Sequence, residues 1–358
     1  MTDSSPAPAS GARIRVAIVG ATGYVGGELL RLLARHPDVE VSGLWARDRD
    51  AEPVGRSHPH LATTGHVVHG RLPDADAVFL ALPHTASAAL VPELIAGGRT
   101  VIDLGSDFRL KDPEDYPRWY RMTHPHPELL AEAVYGLPEL HRADLAALRG
   151  RATRIVAAPG CYPTATILAL APLARAGLIG DLVVDAKSGV SGAGRDPKPE
   201  LTFSEVNESV KAYGVGGHRH VAEMEQELGR LSPAGGNPGV RGIDFLPHLI
   251  PMTRGILSAC HVRPTRPVSA DELHDLYAAA YADEPFVHVV ADPPSTGNVL
   301  GSNHVRVHAS VDARTGRILA IGVIDNLVKG AAGQGIQAFN VVHGLPETAG
   351  LAQLPLAP

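Results

Sequence analysis

Cys161 is the residue whose type and setting most clearly offer chemistry. It is one of only two cysteines in the 358-residue chain and lies in the segment AAPGCYPTATILALAP, residues 157–172. Pro163 favours an early helical position, because the backbone donor that proline lacks is not needed in the first turn. A thiolate at the start of a helix is stabilised by the helix dipole, which lowers its pKa. The pattern predicts a nucleophile with Gly160 leaving space beside it, whereas Cys260, within the apolar stretch GILSACHV, is predicted to be a packing residue.

Two histidines in the segment YGVGGHRHVAEMEQEL could exchange a proton with that thiol. His218 and His220 follow a glycine pair, and a neutral imidazole can hold a thiol proton and later give it to a departing group. We predict His218 as the acid/base group and Glu223, in the next helical turn, as a residue that orients an imidazole. The two histidines could also be metal ligands, but no recognisable third or fourth ligand lies near them, so no metal is expected.

A glycine-rich turn, GATGYVG at residues 20–26, predicts a dinucleotide site. It separates an alternating, β-branched stretch from a stretch with helical spacing, as in a βαβ unit. In that setting Gly20 makes the tight turn, Gly23 lets a pyrophosphate approach the helix N-terminus, and Gly26 lets helix and strand pack closely. The alternative is that these glycines serve the geometry of the turn alone.

The end of the second predicted strand, at residues 39–46, favours one cofactor over the other. An NAD site usually has an acidic residue there to bind the ribose hydroxyls. This chain has LWARDRD instead, with Arg47 and Arg49 near the expected position of a 2′-phosphate. The pattern favours NADPH, although Asp48 is an acid nearby and the arginines could simply be exposed loop residues.

A thiolate beside a nicotinamide indicates a specific chemistry. The cysteine attacks an activated acyl group, an acyl-thioester forms, and hydride reduces it to an aldehyde. The sequence thus favours an oxidoreductase over a binding module, while a non-catalytic, NADP-sensing protein with a packing cysteine stays open.

The elements around these motifs predict two domains. The first part alternates strands at 14–19, 39–46, 77–83 and 100–105 with helices at 28–35 and 85–98, as in a doubly wound parallel sheet. After Cys161 come longer, alternating strands and helices at about 163–176 and 269–284, as in a largely antiparallel sheet faced by helices. The fold class predicted is an α/β Rossmann dinucleotide-binding domain plus an α+β catalytic and oligomerisation domain with a mixed, largely antiparallel sheet. The predicted division is a disordered tail at 1–12, the NADP-binding domain at 13–160, the catalytic domain at 161–326, and a C-terminal helical segment at 327–358 that returns to the first domain.

Composition excludes several function classes. The formal net charge is −6 and no run of Lys or Arg forms a stripe, which argues against nucleic-acid binding. No apolar stretch approaches the roughly 18 residues of a membrane span. Two cysteines in unrelated contexts make no disulfide framework, so a cytoplasmic location is expected.

Together the motifs resemble the N-acetyl-γ-glutamyl-phosphate reductases, relatives of the aspartate-semialdehyde dehydrogenases. The segment APGCYPTATILALAP resembles their active-site signature, and VAIVGATGYVGGELLRLL, VFLALPH, DLGSDFRL, SGVSGAGR, GHRH and DNLVKGAAGQ follow the family's order from about residue 13 onward. The resemblance implies NADPH-dependent reduction of N-acetyl-γ-glutamyl phosphate to N-acetylglutamate semialdehyde with release of phosphate, a step of arginine biosynthesis. It also implies a homodimer or homotetramer. Related acyl-phosphate reductases acting on aspartyl or N-acetyl-aminoadipyl phosphate remain alternatives.

The resemblance also suggests roles for further residues. Cys161 would be the nucleophile and His218 the acid/base group. The cofactor would be held by the turn that includes Thr22, Tyr24 and Val25, by the crevice residues Leu82, Pro83 and Ser106 together with His84, by the nicotinamide loop of Ser188, Gly189 and Gly192, and by Asn326. The acyl-phosphate substrate would be bound by Arg109, Arg254 and His220, since arginine suits both phosphate and carboxylate. For each arginine, pairing with a carboxylate of the protein is the alternative.

Overall fold

The computed structural model describes residues 13–356 with the exception of 48, 50 and 73. The predicted tail at 1–12 and Asp48 therefore lie outside the described residues, as do the last two residues of the predicted C-terminal segment.

An eight-stranded, largely parallel sheet forms the first part of the molecule. Its strand order is β3-β4-β2-β1-β5-β6-β8-β7, and only the β3–β4 pair is antiparallel. Strands β2 to β4 extend the sheet on one side of β1, and β5 to β8 extend it on the other side. A crevice therefore opens at the carboxyl ends of β1 and β5. Its strands are β1 (Ile14–Val19), β2 (Val39–Trp45), β3 (Glu52–Pro53), β4 (Val67–His69), β5 (Ala77–Leu80), β6 (Thr100–Asp103), β7 (Ala133–Tyr135) and β8 (Ile155–Ala157); its helices are α1 (Tyr24–Leu33), α2 (Val91–Ala96), α3 (Asp115–Tyr120) and α4 (Pro138–Ala147).

A seven-stranded mixed sheet forms the second part, in the order β10-β11-β9-β12-β15-β14-β13. Four of its six pairings are antiparallel, and β11–β9 and β13–β14 are parallel. The predicted fold class is confirmed. The strands are β9 (Ile179–Ser188), β10 (Lys211–Ala212), β11 (Asp244–Leu249), β12 (Ile256–Pro264), β13 (Val287–Val289), β14 (Val305–Val311) and β15 (Ile318–Ile324); the helices are α5 (Cys161–Arg175), α6 (Phe203–Val206), α7 (His220–Leu231), α8 (Ala270–Tyr281) and α9 (Gly333–His343).

Helix α5 is the centre of the second core. Every residue from Tyr162 to Ala174 is buried, because the helix packs on β12 and β15 and is covered by α7 and α8. Such all-round burial explains its Ala- and Leu-rich composition. We propose that the domains divide at the start of α5, and α9 then packs back onto α1 and α4 of the first domain.

Two helix predictions for the first domain differ from the structure. Helix α1 begins at Tyr24, inside the glycine-rich segment, and not at residue 28. The predicted helix at 85–98 is wrong over its first half, since α2 covers only Val91–Ala96. The carboxylate of Asp107 accepts the N–H groups of Thr85 and Ala88, and Thr85 has a φ of +72°, so this stretch is a carboxylate-bound loop.

Candidate active site

Cys161 is the first residue of α5, directly after the short strand β8 and the helix-capping Gly160. Gly160 is required there by close approach: a Cβ on it would lie 2.6 Å from Nε2 of His220 and 3.0 Å from Nη1 of Arg109. On the other side, a Cβ on Gly330 would lie 2.8 Å from the Cβ of Cys161. Cys161 is therefore closely packed between two glycines, with a histidine and an arginine at the start of its helix.

Glu223 ties these groups together from α7. It is fully buried and accepts hydrogen bonds from the Gly160 N–H at 2.9 Å, the Tyr135 hydroxyl at 3.0 Å and Nη1 of Arg109 at 3.0 Å. Its distance to Nε2 of His220 is 4.0 Å, too long for a hydrogen bond. Glu223 thus positions the start of α5 and Arg109, whereas this geometry does not show the predicted hydrogen bond to an imidazole.

The thiol of Cys161 differs from the sequence-based expectation. Burial raises its pKa, and the opposing effects of the Arg109 charge and of the hydrogen bond from the Tyr162 backbone do not reverse the shift. The helix dipole alone suggested a lowered pKa, but the sequence does not show how completely the helix start is covered by protein. At neutral pH the resting side chain is a protonated thiol, so attack on a substrate requires a proton acceptor.

Both candidate imidazoles lie at this helix end and are neutral. Burial, followed by the charge of Arg219, lowers the pKa of His218 to about 4. Burial also lowers the pKa of His220 well below its usual range. The rings of His218 and His220 are 4.7 Å apart, and Nδ1 of His218 accepts the backbone N–H of His220 at 3.2 Å. His220 is the more buried ring, and its Nδ1 has no hydrogen-bond partner among the described residues.

A third imidazole comes from the first domain. Nδ1 of His84 is 2.8 Å from Oγ of Ser106, which lies 3.4 Å from the carboxylate of its neighbour Asp107. Although His84 is exposed as a residue, desolvation of its ring, followed by the charges of Arg219 and Arg109, lowers its pKa. Ser106, predicted to contact the cofactor, is buried and holds this ring at the mouth of the crevice.

The two arginines predicted to bind substrate are engaged with the protein. Arg109 donates to the carbonyls of Ala158 and Leu104 as well as to Glu223. Arg254 pairs with Glu28 of the first domain at 3.0 Å and with Asp325 of its own domain at 3.5 Å. Arg109 lies at the nucleophile but shares its charge with Glu223, and Arg254 acts as an ion-pair link between domains.

Arg219 is the site residue that sequence reasoning missed. It lies between the two histidines of GHRH, is partly buried, and has neither an ion-pair partner nor a hydrogen-bond partner for its Nε among the described residues. Burial, followed by repulsion from Arg109, lowers its pKa. The sequence signal that could have identified Arg219 is its position between two histidines that follow a glycine pair. Arg219 is thus a cation at this site whose charge no described carboxylate balances.

The glycine turn fits a dinucleotide. A Cβ on Gly20 would lie 2.2 Å from the Ala81 carbonyl oxygen, and one on Gly26 would lie 2.4 Å from the Gly20 carbonyl oxygen, so the protein's own packing requires both glycines. The nearest atom to a Cβ on Gly23 would be 3.5 Å away, an ordinary van der Waals distance, so the protein's own packing does not require glycine here, and the missing side chain leaves room for a group that approaches from outside the turn. Helix α1 begins at this point with no side-chain cap and no acidic residue in its first turn. Free N–H groups, the positive helix end and this space suit a pyrophosphate.

The other predicted cofactor residues surround the same crevice. Leu82 and Pro83 follow the carboxyl end of β5, as expected. Thr22, Tyr24 and Val25 lie in the turn and the first turn of α1, and the Tyr24 ring is 41% exposed. Arg47 follows β2 and is exposed, whereas Arg49 is paired with Glu52 at 2.7 Å.

The residues predicted to form the nicotinamide loop lie together, and Asn326 is buried beneath the loop and hydrogen-bonds to it. Ser188 ends β9, and a Cβ on Gly192 would lie 3.2 Å from its Oγ. The amide of Asn326 accepts the Gly255 N–H at 2.8 Å and donates to Oγ of Ser191 at 2.9 Å. Asn326 is nearly fully buried, so its amide fixes the loop and is not presented to a nicotinamide. Gly189 is held close to Thr253, with a Cβ placed 2.7 Å from that carbonyl oxygen.

In residues 13–356 without 48, 50 and 73, no group of three or more His, Cys, Asp or Glu side chains is placed to hold a metal ion. No helix within those residues has the length and apolar character needed to cross a membrane.

Comparison with known proteins gives family matches for both domains. Residues 15–148 match the semialdehyde dehydrogenase NAD binding domain, and residues 161–326 match the semialdehyde dehydrogenase dimerisation domain. The chain is 48% identical to the N-acetyl-gamma-glutamyl-phosphate reductase of Heliobacterium modesticaldum, over 96% of this chain and 100% of that protein. It is 49% identical to the reductase of the same name from Desulforudis audaxviator, over 94% of this chain and 98% of that protein.

Solved structures share the fold at lower identity. Aspartate semialdehyde dehydrogenase II from Vibrio cholerae, complexed with ASA, is 22% identical with a TM-score of 0.67, over 93% of this chain and 98% of that chain. Aspartate semialdehyde dehydrogenase with NADP from Candida albicans is 16% identical with a TM-score of 0.67, over 93% of this chain and 99% of that chain.

Proposed function

The chain belongs to the N-acetyl-gamma-glutamyl-phosphate reductases of the semialdehyde dehydrogenase family, and from this premise we propose its reaction and the residues that perform it. It is an NADP-dependent oxidoreductase that reduces N-acetyl-γ-glutamyl phosphate to N-acetylglutamate semialdehyde and releases phosphate, in arginine biosynthesis. The observation that carries the proposal is Cys161 at the first position of the buried helix α5, where two neutral imidazoles pack against the neighbouring Gly160 and Tyr162.

The first step forms a thioester on Cys161. Its sulfur attacks the acyl carbon, the bond from that carbon to the phosphate oxygen breaks, and phosphate leaves with the bonding electrons. When bound, the nicotinamide supplies the hydride that reduces the thioester to the aldehyde. Collapse of the reduced adduct breaks the carbon–sulfur bond and returns the sulfur to its thiol form.

His218 is proposed to move the protons of both steps. It takes the proton of Cys161 during attack and returns it to the sulfur when the aldehyde leaves. A neutral ring is required, which agrees with the lowered pKa of His218. His220 is the alternative proton carrier, because its Nε2 lies against Gly160 at the helix start.

The phosphate of the substrate is proposed to bind Arg219. Arg109 and Arg254 have their charges balanced by Glu223 and Glu28, so neither supplies a net positive charge to a dianionic group. His84, held by Ser106, presents its remaining ring nitrogen from the opposite domain. A charge-assisted bond to Arg219 thus fixes the leaving group as Cys161 attacks.

Substrate class and nucleophile are tested in one assay. Reduction of NADP⁺ is followed with phosphate and either N-acetylglutamate semialdehyde or aspartate semialdehyde, for the wild type and Cys161→Ser. We expect turnover of the acetylated compound alone and none by the variant, which still binds NADPH. Turnover of the aspartyl compound instead would keep the mechanism and change the acyl group. Activity in Cys161→Ser would favour a packing role for the cysteine.

The histidine assignment needs a matched pair of variants. His218→Asn and His220→Asn each remove one imidazole and keep a polar side chain of similar size. If His218 carries the proton, its variant loses about 10²–10⁴-fold in kcat with a changed pH profile, and the His220 variant is affected mainly in KM. The reverse pattern assigns the proton to His220.

The second domain is proposed to form a homodimer, and pairs of dimers a tetramer. One face of its sheet packs on α5, while the alternate residues point the other way, among them the half-buried Val183, Leu257 and Ile321. The dimerisation-domain match spans this sheet. Light scattering should give a dimer or tetramer for the wild type and a monomer for Ile321→Glu. A cytoplasmic location is proposed from the two unpaired cysteines.

A further inference from the structure

Arg195 connects the second domain to the glycine turn of the first. It lies in the loop after Ser188, just beyond a short helical turn, Val190–Ala193. Its Nη1 donates to the carbonyl oxygen of Thr22 at 2.9 Å, across 173 residues of sequence. Its guanidinium carbon lies 6.0 Å from the ring centre of Tyr24, so the side chain extends over the outer surface of the turn.

The charge of Arg195 is not balanced by the protein. The side chain is exposed, and no carboxylate within the described residues lies within ion-pair distance of it. Only Nη1 has a hydrogen-bond partner in that part of the chain, so most of its N–H groups point to solvent. It lies beside the uncapped start of α1, which is itself electropositive. Two positive groups are thus held side by side at the turn, where Gly23 has no side chain to block an approaching ligand.

We propose that Arg195 binds the pyrophosphate of the dinucleotide and thereby joins the catalytic domain to the cofactor. The proposal rests on the NADPH binding given above and adds to it a cofactor contact supplied by the second domain. Arg47 occupies a different position, at the end of β2, where the adenosine ribose is expected. The two arginines therefore bind different phosphates, one present in every nicotinamide dinucleotide and the other present only in NADPH.

The test measures binding without turnover. Fluorescence titration gives the Kd of NADPH and of NADH for the wild type, Arg195→Gln, Arg195→Lys and Arg47→Gln in the absence of substrate. Loss of a charged hydrogen-bond donor is expected to raise the Kd of both cofactors by about 10- to 100-fold in Arg195→Gln. The lysine variant, which keeps the charge, should lose less. Arg47→Gln should weaken NADPH alone, and thermal midpoints unchanged from the wild type confirm that the exposed substitutions leave the fold intact.

Three results would overturn the assignment in distinguishable ways. Unchanged Kd values in Arg195→Gln would show that the residue does not contact the cofactor. A loss confined to NADPH would assign Arg195 to the 2′-phosphate and not to the pyrophosphate. A wild type that binds neither NADPH nor NADH would contradict the proposed function itself.

Discussion

Replacing Lys329 by methionine tests how the turn beside the nucleophile is held. Lys329 lies in the π-helical turn Val328–Ala332, one residue before the Gly330 that packs on Cys161. Its side chain is fully buried, and its Nζ is 2.5 Å from Oε1 of Glu139 and 2.6 Å from Oε1 of Gln337. The second oxygen of Glu139 has no partner among the described residues, so Lys329 is its only counter-charge there.

The expected loss follows from burial. Removing one member of a buried ion pair leaves the other charge uncompensated and costs about 3–5 kcal/mol. For a chain of this size that loss corresponds to a fall of the thermal midpoint on the order of 5–10 °C. Because the chain has two domains, midpoints are compared directly and not converted to a single free energy of unfolding.

The pH dependence distinguishes a lost charge from lost packing. In the wild type, burial acts to raise the pKa of Glu139, but the charge and hydrogen bond of Lys329, together with hydrogen bonds from the backbone and from Gln337, outweigh it and lower that pKa. This contribution to stability is present above the ordinary glutamate pKa and is lost as the pH falls below it. In Lys329→Met, only the hydrogen bonds from Gln337 and the backbone oppose burial, so we expect the pKa of Glu139 to rise and the folded variant to keep a proton that the unfolded chain releases. The penalty should therefore be smaller at pH 5 than at pH 7.

The reciprocal variant should show the opposite slope. Glu139→Gln leaves a buried ammonium, so its penalty should shrink from pH 7 to pH 9. The double variant has neither charge and should recover at least half of the loss. Lys198→Met, at an exposed position, is the control and should move the midpoint by no more than about 1 °C. A Lys329→Met midpoint within about 2 °C of the wild type, or a penalty that grows on acidification, would refute the reasoning.

Three further outcomes follow from the backbone and the thiol. Thr85→Gly should increase the free energy of unfolding by about 0.5–1 kcal/mol and so raise the urea midpoint, because glycine removes the strain of a β-branched residue in the left-handed region, and this gain exceeds the entropy that glycine adds to the unfolded chain. A lowered midpoint contradicts this. The rate of alkylation of Cys161 by iodoacetamide should increase about tenfold per pH unit from pH 7 to 9, because burial raises the pKa of the thiol. A rate that reaches a plateau below pH 8 would contradict this prediction. Cys161→Ser, which retains the buried Cys260, gives the background rate. Gly330→Ala should lower kcat by about 10²-fold through displacement of the nucleophile, whereas Gly229→Ala, with open space around it, should leave kcat unchanged.

The local part of the fold could be predicted because its signals are local. The alternation at residues 14–19 and the three glycines that follow specify strand, turn and helix within a few residues, and β1 and α1 were found there. Ser269 was likewise predicted to begin a helix, and its side chain accepts the Glu272 N–H at the start of α8. These elements depend on spacing and capping, which the sequence shows directly.

The site chemistry was predictable only as far as residue types go. Whether an arginine binds substrate or a carboxylate depends on partners far away in the chain. Arg109 pairs with Glu223, 114 residues later, and Arg254 pairs with Glu28, 226 residues earlier. No sequence pattern connects residues this far apart. Arg219 was missed for the same reason, because what distinguishes it is that no described carboxylate pairs with it.

The helix predicted at 85–98 failed for a related reason. Its Ala, Ser and Leu residues are compatible with a helix, and local propensity is a weak prior that tertiary contacts override. The two N–H groups of Thr85 and Ala88 are instead bound by Asp107, 19 or more residues away. That carboxylate also fixes the loop that carries His84, so the departure from helix places a functional side chain.

Burial, reinforced by the charge of Glu223, keeps Cys161 a protonated thiol in the resting enzyme. Arg109 favours the thiolate of Cys161, but Glu223 balances that charge and itself acts to raise the thiol pKa, in the same direction as burial. The nearby imidazoles are neutral because burial lowers their pKa, so neither ring has taken the proton in the resting enzyme. Proton transfer must then accompany attack on the acyl carbon. The charge of Arg219, which no described carboxylate balances, remains available for the phosphate that leaves in that same step.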